Sequence, residues 1–218
     1  MTYHAAIFDM DGLLLDTERL CMRIFQQACD TQRLPFHKEV YLSIIGRNAA
    51  GIERIFRQAY GDDLDRLHEE WRCRYHAVVE HQPIPVKPGV IDLLEWLRAN
   101  GISMAVATST AKVVARKKLS LAGLDHYFDS LATGCEVSRG KPDPEIYRLA
   151  ASRLNVAPAK CLAFEDSNNG VHAAVAADMI TYQIPDLVDP SDEVIALGHT
   201  VLPSMVQVLE DLKRWRSQ

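Results

Sequence analysis

No run of apolar residues in this chain is long enough to cross a bilayer, which takes about 20 of them in a helix. There is no dense Lys/Arg tract, and the formal net charge is −5. Both argue against a nucleic-acid surface. Cysteine is sparse and scattered: Cys21, Cys29, Cys73, Cys135 and Cys161, odd in number and without a CxxC pair. That usage speaks against a disulfide framework and fits reduced thiols in a cytoplasmic protein. Cys73 and His76 lie one helical turn apart, but two residues fall short of a metal site. Met1-Thr2-Tyr3-His4 lacks the basic-then-apolar pattern of a secretory leader, in keeping with that compartment. No internal repeat or low-complexity tract is present.

What remains is the composition of an ordinary globular protein: 218 residues, 48% hydrophobic and 24% charged. That is room for one large domain, or a domain carrying an insertion. From about Pro88 onward, strand-like and helix-like segments alternate. Val90, Leu93, Leu94 and Leu97 fall at helical spacing, and Asn100-Gly101 is a helix stop. Residues 102–107 predict a strand, 111–121 a helix, and Leu131-Ala132 a short strand. Asp143-Pro144 reads as an N-cap followed by proline in the first turn. Residues 161–164, 170–177 and 179–183 predict strand, helix and strand. Ser204 with Gln207 predicts a capping box for the last helix. This alternation implies parallel βαβ units. Residues 18–81 differ, holding apolar helical runs such as Leu20, Ile24 and Phe25, then Ile52, Ile55 and Phe56. They read as a helical insertion with hinges near Asp16-Thr17 and Pro83–Pro85.

Four stretches carry chemistry. The apolar strand Ala5-Ala6-Ile7-Phe8 ends in Asp9-Met10-Asp11-Gly12. Ligands of α/β proteins bind beyond the carboxyl ends of strands. Carboxylates this close repel unless a cation or proton intervenes, so the pair suggests a divalent-metal site or a nucleophile beside an acid/base. Thr108-Ser109-Thr110 stands at a predicted strand end before a helix, where backbone N–H groups and the helix terminus favour an anion. Capping of that helix by Ser109 or Thr110 is the alternative. Lys141, flanked by Gly140 and Pro142, could neutralise charge on a transferring phosphoryl group. Glu165-Asp166-Ser167 again places carboxylates at a strand end, a donor set that suits Mg²⁺.

In this order, Asp9-x-Asp11-Gly12, Thr108, Lys141-Pro142-Asp143-Pro144 and Glu165-Asp166-Ser167 resemble the four motifs of the haloacid dehalogenase-like phosphohydrolases, over essentially the whole chain. The resemblance implies a Rossmann-like α/β fold, with a parallel sheet, helices on both faces and an inserted α-helical cap. The core would comprise residues 1–16 and 84–218, and the cap 17–83. It implies Asp9 as nucleophile, forming an aspartyl-phosphate, and Asp11 as general acid and base. Thr108, Ser109 and Lys141 would bind phosphate. Mg²⁺ would be held by Asp9, Asp166 and the Asp11 backbone carbonyl, with Glu165 binding directly or through water. Arg47 is the candidate for substrate selection from the cap.

The implied substrate is a small phosphate ester, first of all a sugar phosphate. The β-phosphoglucomutase branch is the nearest alternative, but Cys21 stands where that branch carries a histidine, which favours hydrolysis. Asp11 argues against a true dehalogenase. Lys38, the one lysine between Glu18 and His81, gives no sign of a Schiff-base role. A non-catalytic binding protein on this fold would be expected to have lost one of Asp9, Asp11, Lys141 or Asp166.

Overall fold

The computed structural model describes residues 3–45 and 49–216. Strand β1 (Ala5–Phe8) leads into the insertion, helices α1 (Thr17–Gln32), α2 (Lys38–Ile44), α3 (Ala49–Tyr60) and α4 (Leu64–His81). Then follow α5 (Val90–Ala99), β2 (Ser103–Thr108), α6 (Lys112–Leu121), β3 (Ser130–Thr133), α7 (Glu145–Arg153), β4 (Cys161–Glu165) and α8 (Asn168–Ala176). The chain closes with β5 (Ile180–Gln183), α9 (Asp192–Ile195), β6 (Thr200–Val201) and α10 (Met205–Arg216). The strands form one parallel sheet in the order β3-β2-β1-β4-β5-β6. This is the α/β, Rossmann-like arrangement, and its strand order reverses between β1 and β4.

Alternation along β1 sets the two faces of the sheet. Ala6 and Phe8 join a cluster with Val90, Leu93, Leu94 and Leu97 of α5, Leu119 of α6, and Met205, Val208 and Leu212 of α10. Phe8 is paired in register with Phe164 and stacks on it at 4.6 Å between centroids. Ala5 and Ile7 face the other way, among Ala105, Ala107 and Ala163 and against Ile146, Tyr147 and Ala150 of α7. The small alanines on that face let the helix backbone come close to the sheet.

The insertion has a cluster of its own around Phe25, which stacks on Phe56 at 4.9 Å with Tyr41, Tyr60 and Trp71 around it. Truncating a buried phenylalanine of this kind to alanine costs about 3–5 kcal/mol. The two chain segments joining insertion to sheet are zipped together. Leu15 bridges Val86, Asp16 N–H donates to Pro85 O at 2.9 Å, and Lys87 N–H donates to Leu14 O at 3.0 Å.

Three local details differ from the sequence reading. Helix α7 starts at Glu145 with Pro144 at its cap position, although Asp143 Oδ1 does accept the Glu145 N–H at 3.0 Å. Ser204 and Gln207 hydrogen-bond to each other through their side chains instead of forming the reciprocal box. Strand β6 has no signature in the sequence, because its two exposed residues offer no apolar alternation.

Candidate active site

The sheet delivers its chemistry at one edge. Asp9 follows β1, Thr108 ends β2, and Glu165 ends β4 with Asp166 just beyond it. Beyond β1 the chain turns back sharply, with Gly12 N–H donating to Leu15 O at 3.0 Å. Gly12 has φ +86, and a Cβ there would lie 2.3 Å from Asp166 Oδ2. Only glycine therefore lets this turn pass over the Asp166 carboxylate.

Lys141 is the hub. Its ammonium donates to Asp9 Oδ1 at 2.5 Å, Glu165 Oε1 at 2.6 Å and Ala107 O at 3.0 Å, tying the ends of β1, β4 and β2 to one cation. Glu165 is fully buried and well satisfied. Tyr147 O–H donates to its Oε1 at 2.7 Å, and Ser167 Oγ donates to its Oε2 at 3.1 Å. Ser167 Oγ also accepts the Gly170 N–H at 3.1 Å, capping α8.

Asp9, Glu165 and Asp166 each offer an oxygen within 4.8 Å of the others. Burial pushes the Asp9 carboxyl up to about 7; Lys141 opposes the rise, while Glu165 and Asp11 add to it. Asp166 is raised well above the usual carboxylate range by burial, then by Asp9 and Glu165. Burial alone would lower Lys141, but Asp9 and Glu165 hold it above the ordinary lysine value. One ammonium thus stands among three crowded carboxylates. An all-oxygen set short of positive charge is what a hard divalent cation fits.

Asp11 is held separately. Thr110 Oγ1 donates to its Oδ2 at 2.6 Å and Lys118 Nζ to its Oδ1 at 2.7 Å. Thr108 is buried, and its Oγ1 accepts the Thr110 N–H at 3.1 Å. Neither Ser109 nor Thr110 caps α6, since Ala111 occupies the cap position; Ser109 is exposed at the strand end. Arg47 lies outside the described residues. Cys21 faces the site from α1, its thiol pushed up to about 12 by burial and by Glu18. A cavity of about 290 Å³ between the insertion and the sheet is lined by Glu18, Ser43, Ile45, Asp166, Asn168 and Asp186, among others.

Residues 3–178 match the family model for the haloacid dehalogenase-like hydrolases. The chain belongs to this family. Within the haloacid dehalogenase-like hydrolases it is 33% identical over 216 residues to a phosphorylated carbohydrates phosphatase of Thermotoga maritima, covering 96% of this chain and 98% of that one. Its fold is similar to a Thermotoga maritima structure provisionally assigned as a β-phosphoglucomutase, with TM-score 0.79 and 32% identity over 98% of this chain and 99% of that one. It is also similar to CbbY from Rhodobacter sphaeroides, solved with phosphate, with TM-score 0.74 and 29% identity over 95% and 96% of the two chains.

Two residues of this hydrolase site were not singled out from sequence, Tyr147 and Lys118. Tyr147 carries no local signal, being one aromatic on an apolar helix face. Lys118 does carry one. It falls on the stripe of Ala115 and Leu119, where a lysine is out of place unless it has a buried partner.

Gly170 gives a direct test of the packing. A Cβ there would sit 1.9 Å from the Glu165 carboxyl, which Lys141, Tyr147 and Ser167 hold in place. Gly170→Ala should therefore cost about 1–3 kcal/mol, a fall in Tm of roughly 2–12 °C by calorimetry. An unchanged Tm would mean that Glu165 can move aside freely.

Proposed function

We propose that this chain is a Mg²⁺-dependent phosphatase that hydrolyses a small phosphorylated carbohydrate through an aspartyl-phosphate. The observation that carries this reading is the single Lys141 ammonium joining Asp9, Glu165 and the end of β2, next to the Asp166 carboxylate. The Thermotoga maritima phosphatase of phosphorylated carbohydrates supports the substrate class.

Asp9 attacks phosphorus, so that an O–P bond forms to its carboxylate as the ester P–O bond breaks. Asp11 gives its proton to the departing sugar oxygen. It then takes a proton from the water that attacks the aspartyl-phosphate, releasing inorganic phosphate and restoring Asp9. Lys141 opposes the charge of the incoming phosphoryl group, and Thr108 and Ser109 offer it hydrogen bonds at the head of the β2–α6 turn. Glu165, with both oxygens engaged, serves to hold Lys141 in place. Asp9, Asp166 and the Asp11 backbone carbonyl are the groups that would hold Mg²⁺. When bound, that ion supplies the positive charge that lets an anionic nucleophile approach an anionic ester.

Residues 17–83 act as the cap over this site, and the zipped segments around Leu15 and Val86 are its hinge. The free thiols fit work in the cytoplasm. Among the described residues no helix is long and apolar enough to cross a membrane.

Phosphate release from a panel of sugar phosphates is the direct test. Activity should disappear with a chelator and return with Mg²⁺; no turnover on any ester of the panel would defeat the reading.

The resemblance to a structure assigned as a mutase favours a second reading, phosphoryl transfer between sugar positions. Cys21 argues against it, since a thiol raised to about 12 is a poor proton shuttle near neutral pH. Given a hexose 1-phosphate and its bisphosphate, the enzyme should form inorganic phosphate as the dominant product. Isomerised sugar phosphate appearing faster would reverse the assignment.

A further inference from the structure

Lys118 is 3% exposed, and its ammonium is committed to Asp11. Such burial is costly for a lysine unless a carboxylate answers it. The Lys112 and Arg153 pairs on Glu136 brace the scaffold, and Lys141 answers Asp9. The carboxylate that Lys118 meets is likewise a candidate reacting group. Thr110 takes the second oxygen of Asp11 at 2.6 Å, so the carboxyl is fixed at both ends from the α6 side. The ring of Tyr75, from α4 of the insertion, lies 5.5 Å from the same ammonium. Helices α4 and α6 thus meet on the lysine that holds Asp11.

We infer that Lys118 is the positioning residue for the general acid: with Thr110 it aims the Asp11 carboxyl at the leaving oxygen, and Tyr75 couples that aim to the helical insertion. The inference rests on the proposed acid role of Asp11. Proton donation depends steeply on placement, and a group misplaced by about 1 Å can lose on the order of a hundredfold in rate. The loss should fall on the step that needs the proton and spare the phosphate site.

The test compares kcat/KM, which reports steps up to departure of the alcohol, for two kinds of ester in the full-length enzyme with Mg²⁺. An alkyl sugar phosphate needs its leaving oxygen protonated, whereas p-nitrophenolate leaves unaided. Lys118→Met and the milder Lys118→Gln should lower kcat/KM for the sugar phosphate by about 30–100-fold and for p-nitrophenyl phosphate by less than about threefold. Lys118→Arg, which keeps the charge and the donor, should recover most of the sugar-phosphate activity. Equal losses on both esters, no loss on either, or failure of both neutral variants to fold by circular dichroism would overturn the inference and leave Lys118 as scaffold. Asp11→Asn is run alongside. If it discriminates between the esters and the Lys118 variants do not, the positioning inference alone falls. If Asp11→Asn does not discriminate, the acid role of Asp11 falls and takes the inference with it.

Discussion

Asp9→Asn is expected to abolish turnover while leaving the fold intact. The change nearly preserves volume, so the packing beyond β1 survives. It removes the attacking charge and one ligand of the proposed cation, each essential to a covalent route. The loss in kcat should be about a thousandfold or more, some 4 kcal/mol of barrier. Loss of the Lys141 ion pair and relief of crowding with Glu165 and Asp166 act in opposite directions on stability, so Tm should move little. Rapid quenching with radiolabelled ester should leave phosphate on the native protein and none on the variant. A folded Asp9→Asn protein with near-normal turnover would remove Asp9 from the chemistry altogether.

Lys141→Met should fail differently, losing stability as well as rate. Lys141 is buried with two carboxylate partners, and taking away one side of a buried pair costs about 3–5 kcal/mol. For a chain of this size that is a fall in Tm of roughly 6–20 °C. Three carboxylates would then stand without their ammonium, so added Mg²⁺ should raise the Tm of the variant more than that of the native protein. Turnover should fall by at least about a thousandfold, since both the nucleophile and the transferring group lose their compensating charge. A variant as stable as the native protein would show that Lys141 is not the joint between β1 and β4 that its contacts describe.

Much of this architecture was legible in the chain because burial and chemistry coincide at strand ends. Ala5-Ala6-Ile7-Phe8 is apolar on both faces, as a central parallel strand must be, and the first charged residue after it is Asp9. Cys161-Leu162-Ala163-Phe164 repeats the pattern ahead of Glu165. What stayed hidden was partnership across distance. Sequence marks Glu165 as a carboxylate at a strand end, but Tyr147 and Lys141, which both donate to its Oε1, come from other elements. Thr110 looked like a helix cap, whereas its hydroxyl is spent on Asp11 and Ala111 takes the cap position. Strand β6 is held by register with Tyr182 and Gln183, a property of its neighbour rather than of its own residues.

The place of β1 in the sheet has a consequence for how the molecule is made. Its Ala5 pairs with Ser103 on one side and Cys161 on the other, so the sheet's first strand in chain order waits for partners about 100 and 155 residues further on. Contacts of such sequence separation are slow to form. The insertion is complete by His81 and has an aromatic core of its own, so its internal contacts can form while the rest is still on the ribosome. Asp9, by contrast, emerges bare, without Lys141, Asp166 or a sheet around it. Asp9 therefore stays without the partners of the proposed centre until β4 has closed against β1.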